Sequence, residues 1–332
     1  MKLLMKISAV IYIALLFSCS NDTPASSENN TSKPSDNNKI KDDFSYLAVN
    51  ASGKIQKIGN NTGKISTFSQ FEGLNESYFV HLNNITTNSE KIFLINHISP
   101  SDKLYIFDKK TKTTISKELV FPKEITGFEP TLTSIIWDES KKILYGIIVD
   151  NPYSKSPTNT CYFIKINPNN FTITYEGLTF NQTASSSAYL NNNKVYSSYL
   201  NDGFTIEIDL VNNTAKKVLY NNAKTTYIKP IAYDNNMAYC FRQVPSRNIL
   251  TKLNLSNNTY EDVLPNESFY SYPPFGNGFI DKLNDQYICF MTDSQQFQIL
   301  KYNISTKTFS VLKITSDSTI DSNLIIIDKI DN

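Results

Sequence analysis

The side chains best equipped for acid–base, nucleophilic or metal chemistry are few in this sequence. Two histidines, His81 and His97, and four cysteines, Cys19, Cys161, Cys240 and Cys289, occur in 332 residues. Neither histidine has a second one at metal-ligand spacing, and no H-E-x-x-H motif is present. No G-x-S-x-G turn marks a nucleophilic serine. A His-based triad stays open, because its members need not be neighbours in sequence. The histidines are expected in structural or solvated roles. Cys161, Cys240 and Cys289 lie inside the apolar runs CYFIKI, AYCFR and YICFM. Buried thiols pack as small hydrophobes, so three free thiols are expected rather than a disulfide. No C-x-x-C supports a redox or zinc role. No D-x-D-x-D-G calcium loop occurs, and only 10 glycines are present with no phosphate-cradling run. The sequence calls for no cofactor and no metal.

Groups suited to binding are more plentiful. Three polar segments carry aromatic rings: SQFEGLNES from Ser69, FPKEITGFEPT from Phe121 and PNESFYSYPPFGN from Pro265. Exposed rings beside convergent polar groups make a platform for a sugar or a peptide. Phe269, Tyr270, Tyr272 and Phe275 are the first candidates for ligand contact, with Glu72, Glu129 and Arg242 as polar candidates. Pro273 and Pro274 stiffen their loop. The same rings would serve equally to plug and cover the ends of the surrounding strands. Net charge is +1, so no global field points to nucleic acid.

The elements that position these loops follow from a repeated turn. ILKYNISTKTFSVL (299–312) reads as strand, polar turn, strand. Its NISTKTF, starting at Asn303, has five counterparts: GNNTGKI from Gly59, DKKTKTT from Asp108, NPNNFTI from Asn167, DLVNNTA from Asp209 and NLSNNTY from Asn254. Asp and Asn open such turns by hydrogen-bonding the backbone two residues on. The six anchors are 49, 59, 42, 45 and 49 residues apart. A period of roughly 40–50 residues with several short strands per unit predicts a β-propeller. With 20 Tyr and 20 Phe, the composition suits strands.

Four strands per unit fit most of the chain. The second unit takes Tyr78–Ile85, Lys91–Asn96, Lys103–Asp108 and Ile115–Val120. The third takes Thr133–Trp137, Ile143–Asp150, Cys161–Asn167 and Ile173–Leu178. The first unit has three strands from Phe44 and lacks an opening one, while Ser322–Lys329 is a spare strand. We therefore expect an all-β, six-bladed propeller over 42–332, closed by its C-terminal strand, with seven blades as the alternative. Closure removes a sheet edge that would invite aggregation. The turn pattern resembles the blades of the YVTN/quinoprotein-like propeller superfamily. That resemblance implies the architecture and leaves activity open, because propellers host many functions. Quinoprotein enzymes of that group need calcium ligands and a stacking Trp. This chain has a single tryptophan, Trp137, in an expected inner strand.

The N-terminus reads as a targeting segment. Lys2 and Lys6 precede the apolar ISAVIYIALLF (7–17), which has signal-peptide length and is short for a membrane span. Leu16-Phe17-Ser18-Cys19 then resembles a bacterial lipobox. The resemblance implies cleavage after residue 18 and lipidation of Cys19, giving an anchor on the outer membrane, facing the periplasm or the cell surface. More than one acyl chain gives stable attachment. Residues 20–41 are Ser-, Asn- and Pro-rich, and with Cys19 predict a flexible tether. This order resembles the lipoproteins of Bacteroidetes-type bacteria. The leading functional expectation is a non-catalytic binding or scaffold module of the cell envelope for a glycan, peptide or protein. A propeller-type lyase or hydrolase and a structural subunit of an outer-membrane assembly are the alternatives.

Overall fold

Short strands joined by tight turns succeed one another through the computed structural model. It describes residues 40–74, 84–154, 156, 158–183, 187–198, 204–219, 226–234, 236–244, 247–265, 267, 277–293, 296–316, 320 and 324–331. Six four-stranded antiparallel sheets form among them. Blade one contains β1 (Phe44–Val49), β2 (Lys54–Gly59) and β3 (Ile65–Gln70). Blade two is β4 (Ile85–Thr87), β5 (Lys91–Ile98), β6 (Ser101–Asp108) and β7 (Thr114–Glu118). Blade three is β8 (Thr131–Asp138), β9 (Ile143–Val149), β10 (Thr160–Ile166) and β11 (Ile173–Asn181). Blade four is β12 (Ser187–Asn191), β13 (Lys194–Ser198), β14 (Phe204–Asp209) and β15 (Thr214–Leu219). Blade five is β16 (Thr226–Ala232), β17 (Met237–Val244), β18 (Arg247–Asn254) and β19 (Thr259–Asp262). Blade six is β20 (Asn277–Asp281), β21 (Gln286–Asp293), β22 (Gln296–Asn303) and β23 (Thr308–Lys313).

The final strand, β24 (Ile325–Asp331), pairs antiparallel with β1 and becomes the innermost strand of blade one. The six innermost strands meet their neighbours in turn and close the ring. Ion pairs hold the closing strand on both sides. Lys109 of blade two reaches Asp328, and Lys329 reaches both carboxylate oxygens of Asp281 in blade six at 2.7 and 2.8 Å. One boundary departs from the sequence reading. The inner strand of blade two is described over Ile85–Thr87, where the sequence reading ended its strand Tyr78–Ile85 two residues earlier. Asn88 fixes it there, because its side-chain oxygen accepts from the Glu90 and Lys91 amides and turns the chain straight into β5. Residues 75–83 lie outside the described residues.

The repeated turn joins the third and fourth strands of every blade. Its fifth residue lies in the left-handed region in all six copies: Gly63, Lys112, Phe171, Asn213, Asn258 and Lys307, with φ between 51° and 65°. The side-chain oxygen of the opening Asp or Asn accepts backbone amides two or three residues on at Asp108, Asn167, Asp209, Asn254 and Asn303. Gly59 has no side chain to do this. Asp42, just before β1, supplies the carboxylate instead and takes the Asn61 and Thr62 amides at 2.8 Å and the Thr62 hydroxyl at 2.7 Å. A Cβ at position 59 would lie 2.1 Å from that carboxylate, so glycine is what admits it.

Each sheet buries both faces against its neighbours. Ile95, Leu104 and Ile106 of blade two pack on Leu132, Leu144 and Ile148 of blade three. Similar apolar clusters fill the other seams except, among the described residues, that between blades four and five. There blade five contributes Cys240 and Leu253, and the ion pairs Lys194–Glu207 and Lys216–Glu207 of blade four and Arg242–Asp262 of blade five lie on the facing strands. Strand alternation places the first–second and third–fourth hairpins at one end of the blades. The second–third loops and the blade-to-blade connections lie at the other end, the loop face.

Candidate functional site

The loop face between blades two and three gathers His97, Asp102, Glu129 and Tyr153. His97 and Asp102 oppose each other across the β5–β6 ladder, because the Ser99-Pro100 hairpin between them is short. His97 Nδ1 lies 2.8 Å from Asp102 Oδ1. Asp102 is buried, and its other oxygen accepts the Leu132 amide of blade three at 2.8 Å. Its carbonyl accepts the Leu119 amide, also at 2.8 Å. One residue thus fixes both ends of the connection 119–130.

That connection delivers Glu129. Leu119 and Ile125 are buried beneath it. The Tyr162 hydroxyl donates to the Thr126 carbonyl at 2.9 Å. Gly127 runs against Asp150 so closely that a Cβ there would lie 2.3 Å from the Asp150 carbonyl oxygen. The Glu129 amide then donates to that same carbonyl at 3.3 Å. Glu129 Oε1 comes to rest 3.3 Å from His97 Nε2, without the alignment of a good hydrogen bond. Neither atom is in appreciable contact with solvent.

The electrostatics follow from this packing. The hydrogen bond to Asp102 raises the His97 pKa above the ordinary imidazole value; burial opposes it, and Glu129 adds to it. Burial pushes Asp102 up, against the His97 and Leu132 hydrogen bonds. Ser99 and Tyr153 hydroxyls, with His97, hold Glu129 below the usual carboxylate range. Above this polar base two rings face solvent. Phe128 is 80% exposed and Tyr153 64%, and they meet edge to face at 6.5 Å. Val120 of the same connection is also exposed.

Of the residues singled out from sequence, Glu129 belongs to this cluster. Glu72 lies on an exposed turn after β3, its amide bound to the Thr114 hydroxyl at 3.2 Å. Arg242 is on β17 in the seam between blades four and five. It makes a bidentate pair with Asp262 at 3.1 and 2.6 Å and lies over the Tyr260 ring. Phe269, Tyr270, Tyr272, Phe275, His81 and Cys19 lie outside the described residues. The blade-five to blade-six connection that carries the four aromatics leaves β19 and enters β20 at the loop face. Cys161, Cys240 and Cys289 are buried thiols that form no disulfide among the described residues, and burial pushes the Cys240 and Cys289 thiols far up. Asp102, Phe128 and Tyr153 were not singled out. HISPSD carried a signal for Asp102, since a proline hairpin sets its first and last residues opposite each other.

Two cavities lie apart from the cluster. One of about 350 Å³ lies on the axis among aliphatic side chains of the inner strands, with Trp137 donating to Glu139 at 2.6 Å at its edge. The other, about 450 Å³, is polar and lies beside Lys194, Glu207 and Lys216, near blade five. Among the described residues no group of His, Cys, Asp and Glu is arranged to hold a metal.

Comparison with known proteins yields the fold. No family profile matches the chain, and no curated protein matches it. Among solved structures, TolB from Acinetobacter baumannii superposes with a TM-score of 0.54 at 9% identity, over 85% of this chain and 65% of TolB. A functionally unknown protein from Desulfotomaculum acetoxidans gives a TM-score of 0.51 at 14% identity, over 87% of this chain and 90% of that one. The domain is a six-bladed β-propeller of TolB-like architecture.

Proposed function

We propose that this chain is a non-catalytic binding module of the bacterial cell envelope, lipid-anchored through Cys19, that takes a glycan or peptide on its loop face. The observation that carries the reading is the exposed Phe128–Tyr153 pair on a rigid polar base. Two large rings left in water at a loop-built corner mark an interaction surface. β19 ends and β20 begins on the same face as this corner; Phe269, Tyr270, Tyr272 and Phe275, between them in sequence, are proposed as further ligand contacts. The lipobox resemblance at Leu16–Cys19 supports the envelope location, and the TolB-like fold is compatible with it. The enzyme reading draws less support. Both His97 nitrogens face carboxylates, and Nε2 and Glu129 Oε1 are shielded from solvent, so this pair presents no base to a substrate.

The test is capture of soluble bacterial polysaccharides and peptidoglycan-derived peptides by the wild type, Phe128→Ala and Tyr153→Ala. Truncating an anchoring ring should weaken capture at least tenfold, about 1.4 kcal/mol, with an unchanged melting temperature. Undiminished capture by both variants overturns the assignment of this corner.

A further inference from the structure

Within the loop-face cluster, the His97–Glu129 contact changes sign with one proton. Nδ1 of His97 must donate to Asp102, because a carboxylate only accepts. Nε2 therefore carries a proton in the imidazolium and a bare lone pair in the neutral ring. The first state attracts Glu129 Oε1 at 3.3 Å; the second sets lone pair against carboxylate. Neither atom can relieve that repulsion by turning to water, since both are shielded from it. Glu129 follows Phe128 directly in the chain and is bound by the Tyr153 hydroxyl. Both exposed rings thus depend on where the Glu129 carboxylate sits.

We propose that His97 and Glu129 form a proton-operated latch that sets the Phe128 and Tyr153 rings, closed with the imidazolium and released with the neutral ring. This rests on the reading of those rings as ligand-facing. The charged groups facing His97 are Asp102 from β6 and Glu129 from the connection 119–130. From the β9–β10 loop, Tyr153 meets Glu129 by its hydroxyl and Asp150 meets it by its carbonyl. The sign is fixed by geometry. The attraction is complete below the ordinary imidazole value of about 6.5. It is lost as pH rises through the higher value that His97 has in the folded protein. His97 is a positioning residue here, since it acts on a ligand only through Glu129.

The test needs no ligand. The full chain, in detergent, is labelled with 13C at histidine and phenylalanine rings and followed by NMR from pH 5 to 9. The two histidine signals are assigned with His81→Gln, and Phe128 with Phe128→Leu, an exposed change that spares the fold. His97 is expected to titrate above the ordinary imidazole value, with the Phe128 signal moving at the same midpoint. In Glu129→Gln the His97 midpoint falls and Phe128 no longer follows it. A Phe128 signal that stays flat while His97 titrates overturns the latch, as does one that follows His97 unchanged in Glu129→Gln. Either result leaves the capture experiment standing, and a failure of capture leaves this titration standing.

Discussion

At the scale of single residues, Asp42 shows how one missing side chain is replaced from elsewhere in the chain. Burial works to raise its carboxyl, and the Thr62 hydroxyl with the Thr62 and Asn61 amides outweighs that and holds it low. Asp42→Ala should cost about 1 kcal/mol at pH 7, as loss of a capping side chain does. A carboxylate lowered by folding contributes stability above its unfolded value of about 3.9 and loses it as pH falls through the folded value. The gap between wild type and variant in urea denaturation should therefore close in acid. Gly127→Ala acts by a different route. Its Cβ would press on the Asp150 carbonyl, so a loss of about 1–3 kcal/mol is expected. The displaced connection should also shift the Tyr153 ring signals. The buried thiols make a third case. Cys240 and Cys289 should resist iodoacetamide in the native protein and react once it is unfolded, because the thiolate is the reactive form and burial suppresses it.

Elements bring these residues together, and the sequence revealed some elements better than others. Five of the six turns were legible because their chemistry is local: an Asp or Asn oxygen, one or two amides and one left-handed residue within seven positions, whereas the Gly59 turn takes its oxygen from Asp42. Closure by the last strand was legible from a count of strands. The His97 cluster was only partly so. Glu129 stood out as a charge in an aromatic loop, but its meeting with His97 is set by how blade two packs on blade three, which spacing does not encode. Arg242, a polar candidate for ligand contact, sits near the end of β17. Alternation instead turns it toward blade four and onto Asp262. Arg242→Ala leaves Asp262 without its bidentate partner in a seam with little apolar surface. A loss of about 2–3 kcal/mol is expected in chemical denaturation, somewhat under the full figure for a buried pair because both groups keep some solvent. Hydrogen exchange should show β17 and β18 opening more readily than β21 and β22, whose partner surfaces are apolar.

For the molecule as a whole, the ring decides where function can lie, and the lipid anchor proposed at Cys19 would decide where it is delivered. Cys19→Ala should abolish labelling by radioactive palmitate and release the protein from the membrane fraction. Retained labelling would exclude Cys19 as the acylated residue. Protease treatment of intact cells, with a periplasmic protein as control, separates a surface-facing propeller from an inward-facing one. The closing strand carries a further consequence, in the time course of synthesis. Blade one takes its inner strand from Ile325–Asp331, so five sheets can finish while the sheet begun first still waits. During that interval β1 keeps a vacant edge, and Lys109 and Asp281 lack their β24 partners. A chain that ends before β24 stays in that condition, a ready substrate for proteases and for pairing with another unfinished copy.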